Sequence, residues 1–562
     1  MTGISAIPPG LPLLLGALLL PLFGTRLRSV LVLGLPLLAL ILVWQVPDGP
    51  GLQTGFLGYE LSPVQGDSLS RLFATVFAIM AFAGGLFALN RAPVVELSAA
   101  LASAGSAIGI TFAGDLITLV IFWEVLALAS TLLLWSAMTE RSHGAGMRYL
   151  LIHLLGGILL LIGVVGHVTA TGSVALSAMS LDTPAHWLIF TGFLINAGAP
   201  PLSAWLPDAY PEASPGGMVF LSAFTTKSAV YVLLRGFPGA DILILIGLYM
   251  VFYGIVYALL ENDMRRILAY SIVNQVGFML CGIGIGTEMA LNGAAAHAFT
   301  HIIYKALLLM SAGSVLYMTG RRKCTDLGGL FRSMPLTTIC GIIGALSISA
   351  FPLTSGFISK SMISQAAADQ QLAIVWFLLT AGSAGVFLHA GIKFPWLVFF
   401  QKDSGLRPPD PPLNMRMAMM LFAFLCIALG AWPESLYAIL PYPVDYVPYS
   451  YTHVLTMLQL LLFSGLAFFI MLPYLKRTLT ITLDWDWFYR WLGPRAISQM
   501  LQVVSRWHAH KRIDVLRHLG HFVGTLFLYH GPQGLLARTW ATGSMVLWVV
   551  ILLGIYLIAY YY

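Results

Sequence analysis

The chain has 562 residues, of which 58% are hydrophobic and 9% charged, and its mean hydropathy is +0.86. Soluble domains carry about 25% charged residues, so this composition excludes a soluble globular protein and indicates an integral membrane protein. The net charge of +6 is explained by basic loops between apolar segments and gives no reason to expect a nucleic-acid partner.

Apolar runs long enough to cross a bilayer recur from one end of the chain to the other. They alternate with short loops rich in Gly, Pro and charged residues, which predicts an all-α polytopic bundle rather than a β-barrel. We expect about sixteen transmembrane helices, at residues 8–24, 28–46, 69–89, 95–113, 115–136, 147–170, 186–206, 216–235, 241–260, 266–286, 290–318, 336–364, 372–400, 414–433, 453–473 and 541–560.

Lys and Arg are distributed unevenly between the two sets of loops. Loops after even-numbered helices hold little beyond Arg71 and Arg235. By the positive-inside rule, the odd-numbered loops face the cytoplasm and the N-terminus lies outside, in the inner (plasma) membrane of the cell. The first helix lacks a basic leader and a convincing cleavage site, so it is predicted to be retained. Most basic residues follow odd-numbered helices, among them Arg265, Arg266, Arg321, Arg322 and Lys323.

The cysteines are scattered and have no CxxC spacing, which favours small apolar residues over metal or disulfide roles. The sequence also has no Gly-rich nucleotide loop, no Cys cluster for an iron–sulfur centre and no CxxCH haem motif. We therefore expect no cofactor, no metal and no chemistry of the chain's own. The four cysteines are Cys281, Cys324, Cys340 and Cys426.

Two apolar segments are interrupted by proline. "LINAGAPPLSAWLPDAYPEA" (194–213) contains Pro200 and Pro201, and "AFPLTSGF" (350–357) contains Pro352. A broken membrane helix frees backbone groups that lipid cannot satisfy, so such breaks are tolerated only against protein or an aqueous cavity. "APPLSAW" and "AFPLTSGF" resemble each other, which favours an internal repeat.

Several ionisable side chains fall in the middle of apolar runs. Each costs at least about 2.5–3.5 kcal/mol near the bilayer centre, so each is a functional candidate. Buried carboxylate, ammonium and imidazole groups can pass protons through intervening water, and the set predicts a proton relay. Its members are Glu124, Lys227, Lys360 and the residues His297, His301 and Lys305, which share one helix face at i, i+4 steps.

Other interpretations stay open for some of these residues. Lys393 closes an apolar run and could simply extend to the interface. The HxxxH pair His297 and His301 could bind a metal, although no acidic or Cys ligand accompanies it. Glu124 and Lys227 could form a purely structural ion pair.

Six motifs occur in the order found in the antiporter-like subunits shared by respiratory NADH:quinone dehydrogenase (complex I), membrane hydrogenases and Mrp-type Na⁺/H⁺ antiporters. They are "GDLITLVIFWEVLALAS", "PLSAWLPDAYPEA", "LENDMRRILAYSIVNQVGFM", "HAFTHIIYKALLLMSAG", "TDLGGLFRSMPLT" and "SISAFPLTSGFISK". The resemblance covers roughly residues 65–400. It implies two inverted five-helix repeats with a broken helix in each, and proton translocation along a central polar axis.

The resemblance also assigns roles to individual positions. Glu124 matches the family glutamate of the fifth helix, Lys227 a lysine of the eighth, and Lys360 the residue beside the second break. Asp115 fits a position at a helix end or loop. The sequence departs from the family at Asn196, where most members have a lysine that pairs with the glutamate, and we hypothesise that Lys227 replaces that partner. His297 and His301 match the histidines of the eleventh helix.

The implied organisation has five parts. The fourth part, residues 485–538, carries interleaved basic and apolar residues such as Arg517 and His518. This pattern is typical of an amphipathic helix along neighbouring subunits, or of an ordinary interfacial helix on lipid. The parts are N-terminal helices at 1–113, an antiporter-like core at 114–400 with repeats near 114–236 and 241–400, C-terminal helices at 401–484, an amphipathic lateral helix at 485–538 and a terminal transmembrane anchor at 541–562.

The leading function is a proton-translocating subunit of a multisubunit Mrp-type cation/proton antiporter or respiratory complex. It is a transporter subunit, and at most a non-redox subunit of a translocase enzyme. Its expected partners are other membrane subunits, protons, Na⁺ or K⁺, and lipid. The alternatives are a scaffold that has lost pumping, favoured by Asn196, and a membrane subunit for inorganic-carbon uptake.

Overall fold

The computed structural model describes residues 7–56, 58–474, 484–531, 534 and 542–561, without the side chains of 506–513. The chain divides into two compact units, Met1–Asp486 and Trp487–Tyr562. Parts of the predicted lateral segment, including 535–538 and the side chains of Arg506, His508, His510, Lys511 and Arg512, lie outside the described residues.

The described part of the chain is mostly helical, which confirms the predicted fold class. The α-helices of the first unit are α1 Leu11–Leu19, α2 Thr25–Val43, α3 Ser68–Ala88, α4 Val94–Phe112, α5 Leu116–Trp135, α6 Glu140–Thr171, α7 Pro184–Ala197, α8 Trp205–Ala209, α9 Pro215–Leu221, α10 Thr225–Gly236, α11 Ile242–Leu260, α12 Met264–Ile285, α13 Glu288–Thr319, α14 Pro335–Ile348, α15 Ser355–Asp369, α16 Ala373–Val386, α17 Leu413–Ala431, α18 Glu434–Tyr437 and α19 Tyr451–Met471.

The second unit contains α20 Gly493–His530 and α21 Thr542–Tyr561. Helix α20 has 38 residues and falls within the segment predicted as the lateral helix. Helix α21 coincides with the predicted terminal anchor.

Thirteen helical stretches in the described residues are long and apolar enough to cross a membrane. Two more apolar helices, Leu11–Leu22 and Pro335–Ile348, are shorter. Each predicted segment overlaps at least one helix, although 216–235 and 336–364 each contain two, and the count of sixteen stays a prediction.

A β-hairpin between α2 and α3 adds to the all-helical prediction. Strand β1 (Gly49–Phe56) pairs antiparallel with β2 (Tyr59–Gly66), and Leu52 lies opposite Val64. The hairpin buries Leu61 and Val64. Both strands contain glycine and proline, which are depleted in strands, so the sequence gives no strand signal there.

Helices α6 and α13 have matching construction. Each has 32 residues, begins after a threonine that caps it, Thr139 or Thr287, and ends at a glycine in the left-handed region, Gly172 (φ 70°) or Gly320 (φ 67°). The helices that follow, α7 and α14, each have 14 residues, begin with proline and lead into a break. Two segments of the core thus have the same element lengths in the same order.

The centre of the first unit is formed by helices with no exposed side. Within Pro215–Gly236 and within Met264–Ile285, the 18-residue apolar stretch that could cross the membrane is fully buried. Helix α13 packs against α12, α14 and α15. The predicted polar residues of α10, α13 and α15 are therefore enclosed by protein.

Candidate functional site

The first break separates α7 from α8 and contains Pro200 and Pro201. Helix α7 ends at Gly198, whose φ is 77°, and the peptide between the two prolines is cis. The indole Nε1 of Trp205 donates to the carbonyl of Ile195 at 2.9 Å. The same carbonyl also accepts from the Gly198 amide at 3.1 Å, so a side chain from beyond the break adds a second hydrogen bond to the last turn of α7.

The second break lies between α14 and α15 and contains Pro352. Ala350 (φ 58°) and Leu353 (φ 67°) adopt the left-handed region, which is unfavourable for residues with a side chain. The Lys360 Nζ donates to the freed carbonyl of Ile348 at 2.8 Å. The proline predicted this break, and the structure places the predicted lysine on it.

A third interruption was not predicted. The segment expected as one helix at 216–235 consists of α9 and α10, separated by Ser222–Phe224. The Lys227 Nζ donates to the carbonyl of Ser222 at 2.7 Å and to Thr226 Oγ1 at 3.0 Å. Lys227 thus stands at a helix interruption, as Lys360 does.

The two remaining candidate lysines also bind helix carbonyls. Lys305 donates to Ser271 Oγ at 2.8 Å and lies 3.4 Å from the carbonyl of Leu268. Lys393 donates to the carbonyls of Ala258 (3.0 Å), Leu259 (2.6 Å) and Glu261 (2.6 Å) at the end of α11. The Lys393 ammonium therefore caps the negative end of that helix dipole rather than extending to the interface.

His297 connects three helices by hydrogen bonds. Its Nδ1 lies 3.0 Å from Ser359 Oγ on α15 and its Nε2 lies 3.1 Å from Gln275 Oε1 on α12. The Tyr304 hydroxyl donates to the same Gln275 oxygen at 3.0 Å. Because a side-chain amide oxygen only accepts, His297 Nε2 carries a proton in this arrangement.

His301 lies at the junction of the candidate residues. It is fully buried, and neither ring nitrogen has a hydrogen-bond partner among the described residues. Its ring centroid is 6.2 Å from that of His297, and Lys227, Lys305 and Lys360 lie within electrostatic range of it. The structure therefore brings the predicted lysines and histidines of α10, α13 and α15 into one buried cluster.

Glu124 does not pair with Lys227, which corrects the hypothesis drawn from the sequence. The ion pairs of the described residues do not include one between them. Glu124 is half-buried against α6, and its carboxylate fills the space that a side chain at Gly157 would occupy. Its neighbours Ile121 and Leu128 are exposed, so Glu124 lies near the rim of the unit.

Asp115 and Asn196 have different surroundings. Asp115 accepts from Thr118 N and Thr118 Oγ1, both at 2.7 Å, and from Ser62 N at 2.9 Å. It thus caps α5 and joins it to the hairpin, away from the cluster. Asn196 is buried, and its Oδ1 has no partner among the described residues.

Sequence reasoning missed His153, which is fully buried on α6. It follows the first residue of its helix, Glu140, at the same spacing at which His301 follows Glu288. The pattern T-E at the start and T-G at the end of both segments could have revealed this correspondence.

Sequence reasoning also missed the ion pairs that hold the loops after the first break. Arg148 pairs with Asp208 at 2.7 Å, and Arg322 pairs with Glu212 at 3.0 Å and Asp263 at 2.8 Å. Burial raises the pKa of Asp263, although the nearby Arg322 guanidinium acts to lower it. We call the end of the first unit that carries the Arg322 pairs the basic end. Its basic residues are Arg265, Arg266, Arg321, Arg322 and Lys323.

A cavity of about 580 Å³ opens at the opposite end, between the start of α13 and the end of α15. Three carboxylates line it, those of Glu288, Asp369 and Asp445. Met362, also on its wall, stands two residues after Lys360. Within the described residues, no group of three or more His, Cys, Asp or Glu side chains could hold a metal ion.

Comparisons with known proteins agree on the core. Residues 113–388 match the family model described as "NADH:quinone oxidoreductase/Mrp antiporter, TM". One of the Na(+)/H(+) antiporter subunits of Alkalihalophilus pseudofirmus is 31% identical, over 50% of this chain and 61% of that protein. NADH-quinone oxidoreductase subunit N of Desulforudis audaxviator is 33% identical, over 46% of this chain and 56% of that protein.

A third relative differs more in length. A probable K(+)/H(+) antiporter subunit of Rhizobium meliloti is 28% identical over 69% of this chain, which spans 41% of that protein's length. The chain therefore matches about half the length of these relatives.

Two solved structures share the fold. A chain of the Mrp complex from Dietzia sp. DQ12-45-1b has a TM-score of 0.70 and 23% identity, covering 78% of this chain and 96% of that one. A chain of the membrane-bound sulfane sulfur reductase, an archaeal respiratory membrane complex, has a TM-score of 0.70 and 22% identity. The match covers 98% of this chain and 99% of that one.

Proposed function

The chain belongs, through residues 113–388, to the NADH:quinone oxidoreductase/Mrp antiporter membrane family, and from this premise we propose that it is a proton-translocating subunit of a multisubunit membrane complex. The observation that carries the proposal is the buried cluster of lysines and histidines around His301. An imidazole with two unpartnered nitrogens in a polar, enclosed site requires water, and water beside titratable groups is what proton transfer needs.

The proposed route runs from the basic end to the acidic cavity. Protons enter near Glu124 and Lys227, cross through His301 and His297, and reach Lys360 by way of Ser359, which neighbours it on α15. From Lys360 they leave through the cavity lined by Glu288, Asp369 and Asp445. The positive-inside rule makes the basic end cytoplasmic, so transport is outward across the plasma membrane.

The partners follow from the family. Its members named above are subunits of antiporters and quinone oxidoreductases, which supports other membrane subunits as partners of this chain. Na⁺ or K⁺ is the proposed exchanged cation if the assembly is an antiporter. An assembly for inorganic-carbon uptake remains an alternative, which the identity of co-purified subunits would reveal.

A scaffold without transport is the rival function, and Glu124 supports it. Glu124 is a half-buried carboxylate without an ion pair to Lys227. Without such a pair, the protonation of Glu124 depends less on the charge of Lys227, and proton transfer between neighbouring groups relies on that dependence. The fully buried cluster around His301 argues the other way, because three lysines and two histidines in a membrane core are a large cost for a structural role.

The test uses the complete complex in vesicles that contain a fluorescent pH indicator. We expect Lys360→Met and Lys227→Met to reduce proton flux by about tenfold or more, since each 1.4 kcal/mol added to a barrier slows a step tenfold. Lys402→Met, in an exposed loop, is the matched control and should leave the flux unchanged. Normal flux in both buried-lysine variants would contradict the proposal.

A further inference from the structure

His153 has a ring nitrogen poised to accept a proton. Its Nδ1 lies 2.8 Å from the carbonyl oxygen of Tyr149, one turn earlier on α6. Because a carbonyl only accepts, Nδ1 carries the hydrogen, and in the neutral ring the lone pair is on Nε2. This Nε2 is buried and has no hydrogen-bond partner among the described residues.

The His153 ring is held between the first helix break and α10. It stacks on Tyr149 with a centroid distance of 3.8 Å and meets the edge of Trp205 at 4.6 Å. The Tyr149 hydroxyl lies 3.1 Å from Thr225 Oγ1, at the start of α10. The next residue, Thr226, binds the Lys227 ammonium, so a series of contacts through Tyr149 and these two hydroxyl groups leads from His153 toward Lys227.

Other unpartnered polar atoms stand on the first helix break and on α10, the elements named above. Asn196 Oδ1 lies beside Gly156, one turn after His153, at 3.3 Å from the position of a Cβ there. Asn196 Oδ1, Ser203 Oγ and Ser228 Oγ are all buried without partners among the described residues. Each would cost about 1–3 kcal/mol if left dry, so water is the expected ligand.

The titratable groups on the surrounding elements include Arg148 on α6 and Asp208 on α8, which pair with each other at 2.7 Å. Tyr149 also lies on α6, Tyr210 packs on Trp205 with a centroid distance of 5.6 Å, and Glu124 on α5 lies against Gly157, one turn from His153. Asn196 cannot release a proton near neutral pH. Between Glu124 and Lys227, His153 is the group with a basic lone pair.

The matching helices give an independent argument. His153 stands thirteen residues after Glu140, the first residue of α6, and His301 stands thirteen residues after Glu288, the first residue of α13. Both are fully buried and both have an unpartnered Nε2 within the described residues. The same place in the two halves therefore holds the same chemical group.

We propose that His153 is a proton carrier of the first half, which accepts a proton at Nε2 from water on the Glu124 side and releases it from Nε2 toward Lys227. The imidazolium formed in between keeps its Nδ1–H on the carbonyl of Tyr149, so the ring returns to the same neutral form. This inference rests on the proposed function and adds a residue to its route.

The test is His153→Phe in the complete complex, in vesicles with a fluorescent pH indicator. Phenylalanine keeps a ring against Tyr149 and Trp205 and removes both nitrogens. We expect proton flux to fall by about tenfold. The matched control is His167→Phe on the same helix, whose Nδ1 lies 3.0 Å from His186 Nε2, and its flux should stay close to that of the wild type.

A rescue separates proton transfer from packing. The double variant His153→Phe/Asn196→Lys introduces an ammonium on α7, beside Gly156, which is one turn after His153, and we expect it to restore most of the lost flux. A structural role for His153 would not respond to this lysine. If His153→Phe does not assemble, His153→Asn replaces it, because its amide can still donate to the Tyr149 carbonyl but carries no transferable proton.

The outcomes separate this inference from the proposed function. Wild-type flux in His153→Phe, together with loss of flux in Lys360→Met, would overturn the inference alone. Loss of flux in His153→Phe without rescue would also overturn it, by assigning His153 to packing. A wild-type complex that moves no protons would overturn both.

Discussion

The buried lysines are stabilised by backbone carbonyls rather than by carboxylates. None of the ion pairs of the described residues includes Lys227, Lys305, Lys360 or Lys393. A helix end stabilises a cation by about 0.3–1 kcal/mol, up to about 2 in buried sites, whereas a cation in the membrane core costs about 2.5–3.5 kcal/mol. By these magnitudes the carbonyls compensate the cost of the charge only in part.

At the scale of the single residue, we predict that Gly157→Ala impairs transport. A Cβ at this position would collide with the Glu124 carboxylate, and such overpacking costs about 1–3 kcal/mol. We expect proton flux to fall several-fold while the complex still assembles. Gly144→Ala, on the same helix with only the end of the Arg148 side chain nearby, is the control. Equal flux in the two variants would show that the position of Glu124 does not matter.

The helix elements could be predicted well where hydropathy and proline mark them. Pro201 and Pro352 indicated the two breaks, and each predicted segment overlaps at least one helix. The interruption at Ser222–Phe224 contains neither Gly nor Pro, so no local signal could indicate it. It depends on a tertiary feature, the Lys227 ammonium on the Ser222 carbonyl. The hairpin was missed because strand pairing compensates a sequence with weak local preference.

At the scale of the element, we predict that Asp115→Ala lowers the thermal stability of the complex but leaves its transport rate per assembled complex unchanged. Loss of an N-cap costs about 0.5–2 kcal/mol, and here the contact of α5 with the hairpin is lost too. Asp241→Ala is the control, because Asp241 precedes α11 without a side-chain capping bond. A fall in flux with an unchanged melting temperature would instead give Asp115 a transport role.

At the scale of the whole molecule, the sequence predicted the basic end and most members of the buried cluster. It could not predict which groups face each other across helices, because that depends on the rotation of each helix about its axis. For this reason the pairing of Glu124 with Lys227 was wrong. His153 was missed because a single histidine in an apolar helix has no local signal, and only the comparison of α6 with α13 reveals it.

The orientation of the chain in the plasma membrane can be tested by labelling intact cells with a membrane-impermeant maleimide. The four native cysteines are buried, so background labelling should be low. We expect Asp445→Cys to react in intact cells and Lys402→Cys to react only after permeabilisation, because the basic loops should face the cytoplasm. The reverse pattern would invert the proposed direction of transport.

The equal lengths of α6 and α13 imply an unusual evolutionary constraint. Inserting or deleting one residue would turn everything after it by about 100° and carry His153 or His301 to another side of its helix, with almost no effect on hydropathy. Natural selection should therefore tolerate many amino-acid replacements in these two helices but remove insertions and deletions from them. Length variation among natural sequences should be confined to the connecting loops.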